Sequence, residues 1–393
     1  MSAKQPINEA AWATGCQQPL SVKPAPYTRP LPSEIVIRNH AVAINPVDWI
    51  KLGMPGNLMF PWIKFPFIFG YDVSGEVVEV GSSVTRFSIG DRVLGHCCGM
   101  NEMVNKGSHS AFQLYTVLVE HMTSPIPDTL SFEKAAVVPL AFSTAACGMF
   151  KKDQLALEYP TSPRSKAGNG KTLLIWGGST SVGVNAIQVS LLPLRAYLSY
   201  LFSATSHFLL KHQANPTPKL AVAAGYEVHT TCSPRNFPLM RSLGTVHAYD
   251  YASPRTIPSL IEALRTKTFA GALAIGPGST DACMAILPHC KRGRRFISMA
   301  TFPTPPTPPA HFPVLYIIWS FVSFSVTHFV KKRLRGVESA FLVVGDVGES
   351  EVGRWIYGDF LPRALAAGDF VASPEPVVVG RGLEFVQLSI GNG

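Results

Sequence analysis

The sequence predicts an α/β protein in two parts, a β-rich part and a doubly wound parallel sheet. Three observations carry this. Residues 1–140 hold short apolar runs broken by Gly, Pro and Asp, the pattern of strands and turns. Residues Lys171 to Trp176 form an apolar run, followed at once by the glycine-rich stretch Gly177 to Gly183 and a helix-like segment to Gln188. From about residue 170 to 300, strand and helix patterns alternate, as a parallel sheet with helical crossovers requires.

The elements follow in order. Strands are expected at Glu34–Arg38 and Gly75–Val80, and Gly90-Asp91 turns the chain into Arg92-Val93-Leu94. The run at 171–176 is the first strand of the parallel sheet. Gly177 permits the tight turn after it, and Gly183 permits close packing of helix on sheet. The next strands are expected at Glu227–Thr231, after Ala221–Gly225, then at Ala272–Ile275 and Arg295–Ser298. The Pro-rich run Thr301–Pro313 reads as a linker. The expected division is therefore 1–140 for the β-rich part, 141–301 for the parallel sheet, and 302–393 for a return to the first part.

Composition supports this frame. The chain has 393 residues, enough for two domains, and 47% apolar with 15% charged residues excludes a wholly disordered chain. The net charge is +9, but the basic residues are scattered apart from Lys331, Lys332, Arg333 and Arg335. That reads as a solvated surface suited to an anionic cofactor, and no nucleic-acid partner is expected. Seven cysteines include no C-x-x-C pair, so free thiols in a reducing compartment are expected. Met1–Pro19 has no apolar core of a secretory signal, which points to the cytoplasm.

Two stretches depart from the pattern. With Val189–Lys219 set aside, Gly183 and Ser233 are separated by the roughly 20 residues of a dinucleotide-binding unit. Gln188 would then join Leu220 in one amphipathic helix. The segment begins Val-Ser, which a GT-initiated intron start can encode. It is either a translated intron or a genuine insertion. The second stretch, Phe312–Val330, is almost uncharged and precedes Lys331-Lys332-Arg333. Its length borders on that of a membrane span, which needs about 20 apolar residues. It reads as a buried strand or helix, a surface segment, or a membrane contact through 312–330.

The glycine turn is the central chemical signal. A strand, a glycine-rich turn and a helix open a Rossmann βαβ unit, in which N–H groups at the helix start hold a pyrophosphate. Gly177, Ser179, Thr180, Ser181, Val182 and Gly183 are the candidate residues. Thr180 and Ser181 replace the usual central glycine, and their hydroxyls are expected to donate to phosphate. An NAD site needs a carboxylate at the end of the second strand. Here Thr231-Cys232 leads into Ser233, Pro234, Arg235 and Asn236, with no acid. Ser233 and Arg235 suit a 2′-phosphate, so the expected cofactor is NADPH.

At these residues the chain resembles the medium-chain dehydrogenase/reductase superfamily. Asn45-Pro46-Val47-Asp48-Trp49, Gly70-Tyr71-Asp72-Val73-Ser74-Gly75, Gly90-Asp91-Arg92-Val93 and the Gly177–Gly183 turn occur in that family's order. Ser233 to Asn236, Asp250-Tyr251 and Gly276-Pro277-Gly278-Ser279 are similar to the fungal trans-acting enoyl reductases of polyketide biosynthesis. The resemblance implies a GroES-like domain followed by the Rossmann domain. Zinc-dependent relatives carry Gly-His-Glu where this chain has Gly70-Tyr71-Asp72. The metal-ligating Cys near Asn45–Asp48 and the four-cysteine zinc lobe are also absent. The implied activity is zinc-independent hydride transfer from NADPH to an activated C=C bond. The substrate would be an α,β-unsaturated carbonyl or enoyl thioester, with a polyketide synthase as transient partner. A general quinone or enone reductase and a non-catalytic NADPH-binding protein are the alternatives.

The resemblance also places residues. Val47, Asp48, Trp49 and Ile50 would face the nicotinamide. Lys51 is a catalytic candidate, although Ile50 separates it from the aromatic residue that family members place beside their lysine. Pro139, Leu140, Ala141, Phe142 and Ser143 match the family's substrate loop, with Thr144 as an active-site hydroxyl. Tyr71 stands where a metal ligand would be and is a candidate proton donor. Tyr251 would lie at the adenine, Ile275 and Gly276 at the nicotinamide ribose, and Met299, Ala300 and Thr301 near the substrate. Val377–Gln387 resembles the family's late helix. The final strand that follows in relatives is missing, so a truncated C-terminus is expected.

Overall fold

The computed structural model describes residues 6–53, 60–159, 170–190, 225–245, 247–301 and 312–390. The first part contains β1 (Asn8–Ala13), β2 (Ser21–Ala25), β3 (Glu34–Ala43), α1 (Pro46–Gly53), β4 (Phe67–Ile68), β5 (Asp72–Val80), β6 (Arg92–His96), β7 (Tyr115–Val119) and β8 (Thr123–Pro125). An antiparallel sheet runs β7-β3-β5-β6-β8, and a smaller sheet runs β2-β1-β4. Ile35, Ile37, Val73, Val77 and Leu118 point into one core with Phe69 and Phe112. Gly75 is demanded by the sheet, because a Cβ there would overlap the Arg38 carbonyl oxygen.

The second part follows α2 (Phe132–Ala136) and α3 (Pro139–Phe150). It contains β9 (Lys171–Trp176), α4 (Ser181–Ser190), β10 (Glu227–Cys232), α5 (Phe237–Ser242), β11 (His247–Asp250), α6 (Thr256–Leu264), β12 (Thr268–Ala274), α7 (Ser279–Ile286), β13 (Arg292–Gly293), β14 (Phe296–Met299), α8 (Pro313–Arg335) and β15 (Glu338–Phe341). The sheet order is β11-β10-β9-β12-β14-β15, with every pairing parallel and β13 beside β12. Strand order reverses between β9 and β12, which opens a crevice at their C-terminal ends where ligands bind in such sheets. The chain closes with α9 (Glu351–Trp355), a π-turn at Ile356–Phe360, α10 (Leu361–Ala366) and α11 (Glu384–Ile390).

The described residues correct the expected boundary at 302. β15 pairs with β14 from Phe296↔Glu338 to Met299↔Phe341, so the parallel sheet extends well past Thr301. Only after β15 does the chain return to the first part. There His121 Nε2 lies 2.7 Å from the Gly348 carbonyl and Leu20 N–H donates to Gln387 Oε1 at 2.6 Å. A strand as short as Glu338–Phe341 carries too little alternation to announce itself.

The apolar stretch 312–330 is neither a strand nor a buried helix. It forms most of the 23-residue helix α8, in which Ile317 is the one fully buried residue. Leu315, Trp319, Val322, Val326 and Phe329 are all exposed. By length and composition α8 could cross a membrane. Its flanking strands pair side by side, however, and His328 lies 2.6 Å from Ser339 Oγ on β15. These contacts tie α8 to the sheet at β15.

Two further readings need adjustment. The late helix spans Glu384–Ile390, not 377–387, because the chain through Gly382 takes φ +106°. Of the anomalous segment Val189–Lys219, residues 191–219 lie outside the described residues, as do 220–224 after it. Of the described residues on either side, the Tyr226 N–H donates to the Ser190 carbonyl at 3.0 Å.

Candidate active site

The glycine turn sits at the C-terminal end of β9. Gly177 adopts φ +93°, a conformation that costs other residues strain. A Cβ on Gly183 would overlap the Gly177 carbonyl and stand 2.7 Å from Gly178 Cα. A Cβ on Gly178, a position the sequence reading did not single out, would overlap Thr230 Oγ1. The turn is therefore as close to the sheet as backbone allows. Ser181 and Val182 open α4, where the first amides have no acceptor within the helix. These half-exposed residues, with Ser179, could hold a pyrophosphate, as the N-terminus of a helix does. The Thr180 hydroxyl does not serve phosphate as expected. It donates to the Gly177 carbonyl at 2.7 Å and accepts from the Gly183 N–H at 3.0 Å, which caps the helix.

The loop after β10 lies beside this turn. Thr231 pairs with Trp176, and its carbonyl accepts from the Gly178 N–H at 2.8 Å. Ser233 and Asn236 are half-exposed, while Pro234 and Arg235 are exposed, so the Arg235 guanidinium is available to an anionic ligand. Tyr251 follows β11, whose Asp250 pairs with Cys232, and it is 54% exposed. On the other side of β9, the Ile275 N–H donates to the Trp176 carbonyl at 3.0 Å and Gly276 takes φ +93°. Gly276 N–H donates to Thr301 Oγ1 at 2.5 Å, so Thr301 braces this loop.

A second constellation belongs to the first part. Asp48 and Lys51 lie one turn apart on α1, and both are buried. Lys51 Nζ donates to Tyr71 Oη at 2.7 Å and lies 4.0 Å from the Phe60 ring centroid. Asp48 Oδ2 accepts from the Asn45 N–H at 2.9 Å, while Oδ1 is buried with no partner. Asp72 Oδ2 accepts from Asn45 Nδ2 at 3.0 Å and Oδ1 from the Leu140 N–H at 2.7 Å. Burial pushes Asp48 up to about 7 and Asp72 up to about 8. It pulls Lys51 down to about 7, against the pull of Asp48, and drives Tyr71 above the usual phenol range. The His96 ring stands 5.5 Å from Tyr71, and burial lowers it to about 4. Five buried ionisable groups drawn off their ordinary values mark a candidate functional site. Sequence reading selected Asp48, Lys51 and Tyr71 but missed the structural part of Asp72 and all of His96. His96 carries no local motif.

Helix α3 joins the two parts. The stretch expected as a substrate loop is its first two turns, started by Pro139 at the favoured N-terminal position. Leu140 packs on the first core, whereas Phe142, Ala145 and Ala146 pack with Val184 and Ile187 of α4. This corrects several assignments. Phe142 is fully buried and stacks on Phe360, and Ala141 is 4% exposed. Ser143 is buried against Tyr357, their oxygens 2.8 Å apart. Thr144 donates to the Leu140 carbonyl at 2.7 Å and keeps only its acceptor free. Met299 is a core residue of the sheet, and Ala300 donates its N–H to the Ala274 carbonyl at 2.9 Å. Val47, Trp49 and Ile50 are half-buried on α1.

Tyr357 was not legible in sequence, since it acts across the chain. Its hydroxyl donates to the Pro139 carbonyl at 2.9 Å from a fully buried position. Tyr357→Phe leaves that carbonyl and Ser143 without their partner, and the expected cost is about 1–3 kcal/mol. Urea unfolding of the two proteins checks this, with a lower midpoint at unchanged slope as the expected result.

A glycine cradle on a parallel sheet, joined to an antiparallel domain with a buried Lys–Tyr pair, defines a two-domain oxidoreductase of the nicotinamide-binding kind. Residues 31–128 match the alcohol dehydrogenase GroES-like domain family. The dehydrogenase pigH of Monascus ruber is 46% identical, over 98% of this chain and 95% of its own length. The trans-enoyl reductase himH of Aspergillus japonicus is 34% identical, over 98% and 93%. The crystal structure of CurK enoyl reductase superposes with a TM-score of 0.63 at 16% identity, covering 99% of this chain and 96% of that one, which shows the shared fold. The chain belongs to the medium-chain dehydrogenase/reductase superfamily, among fungal dehydrogenases and trans-enoyl reductases.

Proposed function

We propose that this protein is an NADPH-dependent, zinc-independent reductase of an activated C=C bond, acting on an enoyl thioester presented by a polyketide synthase. The observation that carries the reading is the buried Lys51–Tyr71 pair, 2.7 Å apart. Relatives named trans-enoyl reductase support the substrate class.

Bound NADPH supplies a hydride to the β-carbon of the conjugated carbonyl. The Ser181 and Val182 amides and the turn around Gly183 would hold its pyrophosphate. Arg235 and Ser233 would hold its 2′-phosphate. Electron density then moves to the carbonyl oxygen, and the α-carbon takes a proton. Tyr71 Oη would supply it. The Lys51 ammonium, hydrogen-bonded to that oxygen, stabilises the phenolate left behind and returns the proton.

Cofactor choice gives a direct check. Arg235→Ala should raise KM for NADPH about tenfold or more, the worth of one charge-assisted hydrogen bond, and leave KM for NADH within about twofold. Equal changes for both cofactors would remove Arg235 from the 2′-phosphate. Substrate class is tested by steady-state turnover of a short enoyl thioester against simple quinones and enones. A higher kcat/KM for the thioester supports the proposal. Preference for quinones would make the protein a general quinone reductase, and NADPH binding without any turnover would make it non-catalytic.

A further inference from the structure

The sheet carries a second cluster of ligating side chains, away from the glycine turn. Glu227 opens β10, His229 lies two residues on, and His247 opens β11 directly beside it. Alternation along the strand puts Glu227 and His229 on one face of the sheet. Their donor atoms, with that of His247, all lie within 4.8 Å of one another. We propose that these three residues bind one divalent transition metal of the Zn²⁺ class, with water completing the coordination.

The distances suit that reading. Four ligands at about 2.0–2.1 Å from a tetrahedral zinc are separated from each other by roughly 3.3 Å. Glu227 Oε1 already stands 3.2 Å from His229 Nε2 and 3.7 Å from His247 Nε2. The two imidazoles stack at a centroid distance of 4.4 Å and 18° from parallel, so metal binding requires the exposed His247 ring to turn out of the stack until its Nε2 faces the same point as that of His229. The outer partners are in place. Tyr249 Oη lies 3.2 Å from His229 Nδ1, which orients that ring with Nε2 toward the carboxylate. Lys267 Nζ donates to Glu227 Oε2 at 2.9 Å, and Thr172 Oγ1 reaches the same oxygen, so Oε1 is left to the metal. Two imidazoles and one carboxylate favour zinc, cobalt or nickel over magnesium or calcium, which prefer all-oxygen sites.

The position suggests what the metal does. β11 is the edge strand of the sheet on this side and is four residues long. A metal at the starts of β10 and β11 would staple that edge. The same two strands lead at their other ends to Ser233–Asn236 and to Tyr251, the loops proposed for the adenosine half of the cofactor. The metal would be structural, remote from Lys51 and Tyr71, and its presence would carry no implication of zinc catalysis.

The test uses the full chain stripped of metal, titrated with Zn²⁺ by calorimetry and with Co²⁺ by visible absorption. The expected result is one equivalent bound, the d–d bands of a four-coordinate Co²⁺ centre, and a Tm raised by roughly 3–5 °C at a hundredfold excess over Kd. His247→Ala, at a half-exposed position, should weaken binding at least tenfold while the protein stays folded. Glu227→Gln should do the same, and Tyr249→Phe should have a smaller effect. Absence of binding, or binding unchanged in His247→Ala and Glu227→Gln, would reduce the cluster to an ion-pair network and overturn the proposal. Because the readouts are binding and melting, the result is independent of whether the reductase reading holds.

Discussion

Lys51→Met is expected to lower kcat by about 100-fold or more while leaving NADPH affinity within about threefold. The size follows from the loss of assisted proton transfer, typically worth ~10²–10⁴-fold. The ammonium is buried and hydrogen-bonded to Tyr71 Oη, so no water readily replaces it. Tyr71→Phe should produce a loss of similar size, and the double variant should lose little more, since the two act as one unit. The pH profile supplies a second check. Lys51 is drawn down to about 7, so its active charged form is lost as pH rises through neutrality. Wild-type kcat should therefore fall on the alkaline side with an apparent value that belongs jointly to Lys51 and Asp48. Lys51→Met should lack that limb. A variant that keeps the limb would place the titrating group elsewhere.

The stability of this pair runs the opposite way to that of a surface ion pair. Asp48 is raised above its unfolded value, so stability is lost as pH rises from about 4 through about 7. Lys51 is depressed, so stability is lost as pH falls from about 10.5 toward about 7. Near neutrality both costs are present together. Groups retained under that cost are better explained by chemistry than by folding.

Gly183→Ala is the second large effect. The added methyl would overlap the Gly177 carbonyl and press on Gly178 Cα, both backbone atoms that have no rotamer to yield. The start of α4 must then move off β9, carrying the Ser181 and Val182 amides with it. NADPH affinity should drop about 100-fold or more in a fluorescence titration. Gly358→Ala is the matched control, because no atom lies within 4 Å of a Cβ placed there. Equal binding by Gly183→Ala and wild type would remove the turn from the cofactor site.

The same titration on a chain lacking Val189–Lys219 addresses the anomalous segment. The deletion takes out Val189 and Ser190 and joins Gln188 to Leu220, while every residue of the β9–β10 pairing stays in place, so it should not disturb either strand. Binding by both forms is the expected result for a tolerated insertion. Binding by the shortened form alone would mark a translated intron.

Much of this was legible in local sequence. The strands around Gly177–Gly183 announced themselves because apolar runs and glycines obey short-range rules, and β9 begins and ends where the pattern placed it. Lys51 and Tyr71 were legible through motif position, although their contact at 2.7 Å was not. What stayed hidden acts over distance. The Tyr357 hydroxyl reaches Pro139, 218 residues earlier in the chain. Thr180 looked like a phosphate donor because its neighbours left its hydroxyl no obvious partner in sequence. In the fold it finds the Gly177 carbonyl and is spent. α8 misled because an apolar run normally means burial, and here all of the helix but Ile317 stays out of the core.

The most direct test of zinc-free enoyl reduction is isotopic. NADPH deuterated at the transferable position of nicotinamide C4 would be supplied with a short enoyl thioester and a strong metal chelator, and the product read by mass spectrometry and NMR. The expected result is a saturated thioester with deuterium at the β-carbon, a solvent-derived proton at the α-carbon, and a rate unchanged by the chelator. Reduction at the carbonyl carbon, or turnover abolished by the chelator and restored by zinc, would contradict it.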